Sequence, residues 1–224
     1  MYLHPQKVII ILLDYNFEAN MFQLSNLFKF LKQHYEYFAL GLLIVFVLIS
    51  NVLWLRSDNY PVENRDSIIY LSRTIQFIES VDSPGFNLMD GLKKMSLGGR
   101  PVLLQMMGIP FILAFGYSID AYTYFNFLFY ILLVLATYNI GRNAGTREAR
   151  LLASVIVALY PVTTRLSKIP LTSFAVIACA ALTTWLALDF MKTRSIRDIW
   201  LANLSVAFGL LVHPTFLFGV SYSS

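Results

Sequence analysis

Asp66, Tyr70, Arg73 and Phe77 follow one another at steps of four, three and four residues. That spacing sets side chains on one face of an α-helix. An acid at the start of such a helix is stabilised as the anion by the helix N-terminus. In a polar loop beside a membrane it can serve as a base toward an incoming hydroxyl. Asp is also a good N-cap, and capping and catalysis are compatible roles for Asp66. Tyr70 and Arg73 would then shape the pocket around it. Arg165 and Lys168 form a second candidate group near the end of an apolar run. Two cations there can hold a lipid phosphate headgroup, or can simply anchor the chain at the interface. Arg100, with Lys93 and Lys94, raises the same choice, a solvated loop being the plainer role for the two lysines. His213 stands before Pro214 inside the last apolar run. An ionisable group in a span is a functional candidate, and a neutral histidine packed between helices is the alternative. No second His, Cys or carboxylate stands at metal-ligand spacing from it. The chain has no Gly-rich phosphate loop and no Ser-His-Asp or Cys-His arrangement. The residues therefore predict no metal site and no nucleotide-driven chemistry.

The elements that must position these groups are apolar. Of the 224 residues 57% are hydrophobic and only 13% charged, which sets the chain outside the soluble class. An aromatic share of 15% suits a protein with Trp and Tyr at bilayer interfaces. The net charge of +4 is too small and too dispersed to point to nucleic acid. The one cysteine, Cys179, excludes an intrachain disulfide. The first charge-free run begins only at Tyr37, and no small-residue cleavage site follows it, so it should act as an uncleaved anchor.

Five runs predict membrane spans: Tyr37–Leu55, Ala121–Ile140, Leu151 to about Ile169, Ile169–Leu188, and Ile199 onward to Ser224. Proline near the shared Ile169-Pro170 boundary predicts a tight turn there. The fold class expected is all-α: a polytopic membrane protein of about five transmembrane helices plus an outer loop with interfacial helices. The segment Met21–Lys32 reads as a short amphipathic helix within a cytoplasmic N-terminal segment, residues 1–36. Residues 37–224 form one transmembrane domain, whose long polar loop, residues 56–120, would carry the chemistry. Seven of the 13 acidic residues lie between Asp58 and Asp120. The run Pro101–Gly116 is charge-free, yet nine basic residues face inward if it stays on the side of the loop and five if it crosses. The positive-inside rule thus makes it re-entrant or interfacial and sets the N-terminus in the cytoplasm. Gly108, Pro110 and Gly116 suit a broken helix as well.

The order of these features resembles the N-terminal part of the GT-C superfamily of membrane glycosyltransferases, above all its protein-mannosyltransferase and aminoarabinose-transferase group. The matching residues are the first span, Asp66-Ser-Ile-Ile-Tyr70, Gly99-Arg100-Pro101-Val-Leu-Leu, and Phe115-Gly116-Tyr-Ser-Ile-Asp-Ala121. Tyr138-Asn-Ile-Gly-Arg142 and Ala158-Leu-Tyr-Pro161 followed by Arg165 continue the likeness, which covers residues from about 37 to 220. The resemblance implies transfer of a sugar from a polyprenyl-phosphate donor to an acceptor hydroxyl on the outer or lumenal face, with inversion at the anomeric carbon. It assigns Asp66 the role of base. It implies membrane lipids and the lipid-linked sugar as partners, and an integral membrane location, the plasma membrane in a prokaryote. Two departures stand out. Relatives carry a second acid near the place of Leu171-Thr172-Ser173, whereas no acid occurs between Glu148 and Asp189, so a divalent metal held by that acid is unsupported. Relatives also run longer, which implies that this chain is a fragment or a reduced form. A non-catalytic membrane subunit, or a transporter or lipid-translocating fragment, is the alternative function.

Overall fold

The computed structural model describes residues 33–57, 65–81, 83–97 and 101–213. The predicted Met21–Lys32 helix, Arg100, and the end of the fifth run beyond His213 lie outside these residues. The chain divides into two compact units, Met1–Leu42 and Leu43–Ser224. Of the first unit, residues 33–42 are described, and they form the opening turns of helix α1, Gln33–Ser57. The others are α2 (Arg65–Val81), α3 (Leu88–Ser96), α4 (Val102–Phe115), α5 (Ile119–Thr123), α6 (Asn126–Ala144), α7 (Arg147–Leu159), α8 (Pro161–Ser167), α9 (Thr172–Thr193) and α10 (Ile196–Val212). No strand occurs among the described residues, so the fold is all-helical.

Three stretches are long and apolar enough to cross a membrane: Gln33–Ser57, Ile119–Asn143 and Thr172–Thr193. The first, 25 residues at 1.5 Å each, is about 37 Å long, more than the ~30 Å of a hydrocarbon core. The third predicted span is not one helix. It breaks between Leu159 and Pro161, and α7 and α8 meet at a 56° bend. Proline supplies no N–H to the preceding turn and its ring crowds the helix, which explains the break. Carbonyls at the end of α7 are thereby released, and the Tyr130 hydroxyl donates to that of Ala158 at 2.8 Å. The predicted turn near Ile169-Pro170 is present between α8 and α9. Helix α10 is described for 17 residues.

Packing between α9 and α10 is compatible with a membrane location. Helix α10 buries Asp198, Ala202, Ser205, Gly209 and Val212 at steps of four, three, four and three. Its large residues, Ile196, Trp200, Leu204 and Leu211 among them, are exposed. A soluble helix does the reverse; small and hydroxyl residues at the seam are the mark of membrane helix pairs. Ser205 Oγ donates to the Cys179 carbonyl at 3.1 Å and accepts from Thr183 Oγ1 at 3.0 Å, which joins α9 to α10. Arg194 turns the chain between them in the left-handed conformation, φ 54°.

Between α1 and α6 the chain builds a cap of short helices. Asn87 caps α3 by accepting the Met89 N–H at 2.9 Å. Gly91 lies against the Phe77 ring, where a Cβ would sit 2.9 Å from Cε2. Helix α4 spans only 14 residues, about 21 Å, and includes Pro110. It ends at Gly116, whose φ of 99° suits glycine alone. A Cβ on Gly108 would come within 2.0 Å of the Tyr122 ring, so α4 and α5 touch backbone to ring there.

Candidate functional site

Helices α6 and α9 run parallel, since Asn126 reaches Ile169 at one end and Asn143 reaches Asp189 at the other. The α7–α8 pair and α10 run back against them. Helix α1 ends, α2 begins, and the α8–α9 elbow turns, all at the end of the bundle that carries Asn126.

Three buried side chains from three helices converge on that elbow. Asn51 Nδ2 of α1 donates to Ser167 Oγ at 3.0 Å, and Ser167 Oγ donates onward to the Thr164 carbonyl at 2.9 Å. Asn126 Nδ2 of α6 donates to the Ile169 carbonyl at 2.7 Å. Ser67 Oγ of α2 donates to the Pro170 carbonyl at 3.4 Å, a longer bond. All three donors belong to buried residues. Where α8 stops, the carbonyls of the elbow fall outside the helical hydrogen-bond ladder, and neutral donors supply what water cannot in an apolar interior.

Of the predicted site residues that the structure describes, Asp66, Arg165 and Lys168 lie at or beside this elbow, whereas Tyr70 and Arg73 do not. Asp66 lies exposed in the first turn of α2, immediately before the elbow-binding Ser67. Arg165 is exposed in α8, and Lys168 caps it from within the elbow. The Lys168 Nζ sits 4.3 Å from the centre of the Trp54 ring, a cation–π contact at the end of α1. Tyr70 is 5% exposed and points inward. Arg73 stands elsewhere: its guanidinium donates to the Met95 carbonyl at 3.3 Å and to the Leu97 carbonyl, holding the last turn of α3. Such bonds to the final carbonyls of a helix make it a staple between α2 and α3.

Beneath Tyr70 lies a second polar group. Ser67, Tyr70 and Thr74 form the buried side of α2, while Ile68 is 51% exposed. Thr74 Oγ1 donates to the Tyr70 carbonyl at 2.8 Å and touches the Gln105 carbonyl at 3.5 Å. Gln105 Nε2 donates to the carbonyls of Met95 and Pro101 at 3.0 and 3.2 Å. The buried Tyr122 hydroxyl faces Thr74 and Tyr70. Gln105 Oε1 and Asn126 Oδ1 find no hydrogen-bond partner among the described residues.

The other end of the bundle holds Arg142, Arg147, Arg150, Lys192, Arg194 and Arg197. Asp189 accepts from Asn143 Nδ2 at 2.8 Å and Trp185 Nε1 at 2.7 Å, and pairs with Arg142 at 3.5 Å. Lys192 Nζ donates to the Asn143 carbonyl at 2.9 Å. Thr193 Oγ1 donates to Asp198 at 2.9 Å, across the α9–α10 turn. These are fastenings between helices.

Sequence reasoning passed over Asn51, Trp54, Ser67 and Asn126. A signal existed for two of them, because an amide inside or at the mouth of an apolar run must find a partner there. Among the described residues no three His, Cys, Asp or Glu side chains gather as a metal would require, so no donor set for a divalent ion is on view. Comparison with protein-family models, with curated proteins and with solved structures finds no match. The class the fold defines is an all-helical protein whose long apolar helices are compatible with an integral membrane location.

Proposed function

We propose that this chain is a membrane glycosyltransferase of the GT-C kind, moving a sugar from a polyprenyl-phosphate donor to an acceptor hydroxyl. The observation that carries the reading is that an exposed carboxylate, Asp66, stands next to Ser67, which bonds Pro170, at the bundle end where α8 bears Arg165 and its elbow bears Lys168. A carboxylate and two cations are the set such a transfer needs. Asp66 takes the proton of the acceptor hydroxyl as its oxygen bonds to the anomeric carbon. The bond from that carbon to the phosphate oxygen breaks, and its electron pair leaves with the polyprenyl phosphate. Arg165 and Lys168 meet the charge that gathers on the phosphate.

In this reading α1, α6, the bent α7–α8 pair, α9 and α10 make five crossings, and the short α4 returns to the side it came from. The end rich in arginine faces the cytoplasm, as short basic loops prefer, and the Asp66 end faces the outer or lumenal side. One observation favours a lipid-translocating protein instead: the broken α7–α8 pair is the kind of interrupted helix that lines transport paths.

Sugar transfer from a panel of labelled polyprenyl-phosphate donors, in membranes carrying this chain or its Asp66→Asn variant, tests the proposal. Transfer that vanishes in the variant supports it. Transfer that persists undiminished removes Asp66 as the base, and no transfer with any donor favours translocation or a scaffold role.

A further inference from the structure

The elbow between α8 and α9 is held more tightly than a connection needs. Within Ser167–Pro170 three residues, Ser167, Ile169 and Pro170, accept hydrogen bonds from Asn51, Asn126 and Ser67, each donor on a different helix. Each donor belongs to a neutral, buried residue. One polar bond would satisfy one carbonyl; three from separate directions fix a loop in position and in rotation. Lys168 lies inside the held segment, and its ammonium rests on Trp54, three residues after Asn51 on α1. Ser67 follows Asp66 directly, so one of the three bonds also fixes the first turn of α2.

We propose that Asn51, Ser67 and Asn126 are positioning residues: a three-point clamp on Ser167–Pro170 that sets the Lys168 ammonium on the Trp54 ring beside the turn carrying Asp66. The clamp's service to catalysis rests on the glycosyltransferase reading; the clamp itself does not. Asn126 has the largest part, since its bond is the shortest and it enters from α6, whereas Ser67 makes the longest bond.

Two measurements on the full chain separate these statements. The first is the emission of Trp54, obtained by subtracting the spectrum of the matching Trp54→Phe protein. Removing the cation with Lys168→Gln should change that emission, and Asn126→Leu, an apolar replacement of similar shape, should reproduce most of the change. Ser67→Ala should give a smaller change in the same direction, and decides the matter should Asn126→Leu fail to fold by circular dichroism. Clamp variants that emit like the unaltered protein overturn the clamp. So does a Lys168→Gln protein with unchanged emission, because the ammonium would then not rest on Trp54.

The second is transfer kinetics. Lys168→Gln and Asn126→Leu should each raise the donor KM about tenfold, as expected for residues sharing one network. The double variant should be no worse than either alone, because Asn126 acts through Lys168. Losses that multiply overturn the positioning role. Should the unaltered chain transfer no sugar while the emission changes appear, the clamp stands and only the glycosyltransferase reading falls.

Discussion

The two ends of the helix bundle use the same polar vocabulary for opposite purposes. At the arginine-rich end, acids are answered inside the protein: Asp189 takes Arg142, Asn143 and Trp185, and Asp198 takes Thr193. At the Asp66 end neutral side chains fasten the elbow, acting on two backbone carbonyls and on the Ser167 hydroxyl. Asp66 and Arg165 stand exposed there. A bundle needs its ends closed, and either charged pairs or neutral amides can close them.

Five substitutions test this contrast. Asp66→Asn has the largest expected effect: transfer should drop on the order of 10²–10⁴-fold, the range for losing a general base, with thermal stability unchanged. Asp189→Ala should do the reverse. It strips two hydrogen bonds and an ion pair from a mostly buried group, costing about 2–3 kcal/mol in detergent unfolding with little change in the turnover of the folded remainder. Gly108→Ala should cost about 1–3 kcal/mol, because the new methyl meets the Tyr122 ring and α4 must shift. Lys168→Gln should cost only about 0.5–1 kcal/mol of stability, the usual worth of a partly exposed cation–π contact, while weakening donor use. Arg197→Gln should be nearly silent, since its side chain is 81% exposed and such pairs contribute about 0–1 kcal/mol. An Asp189 variant that lost activity while staying folded would erase the contrast between the ends.

Much of the helical framework was legible in the sequence because apolar runs announce themselves. The first span, the α6 span, the α9 span and the turn at Ile169-Pro170 were all readable from charge-free length and from proline. The break at Tyr160-Pro161 was not read, although the same proline rule applies, because the run stays apolar across it. Asp66 was legible as a helix-opening acid by its spacing. The elbow beside it was not legible, because Asn51, Asn126 and Ser167 are far apart in sequence and no local pattern ties an amide to a distant acceptor. Arg73 shares a helix face with Asp66, yet its length carries its guanidinium to the end of α3 instead. Spacing places a Cβ, and a long side chain can reach well away from it.

The seam of α10 carries a thermal consequence. In a bilayer, separating α9 from α10 exposes Ala202, Ser205 and Gly209 to hydrocarbon chains, so little apolar surface moves into water. Water structuring around exposed hydrocarbon is what gives globular proteins their large unfolding heat capacity, about 12–15 cal/mol/K per residue. Under the proposed membrane location, helix separation in this protein should therefore show a far smaller increment in calorimetry. Its stability against temperature would then be a nearly straight line, with no weakening on cooling.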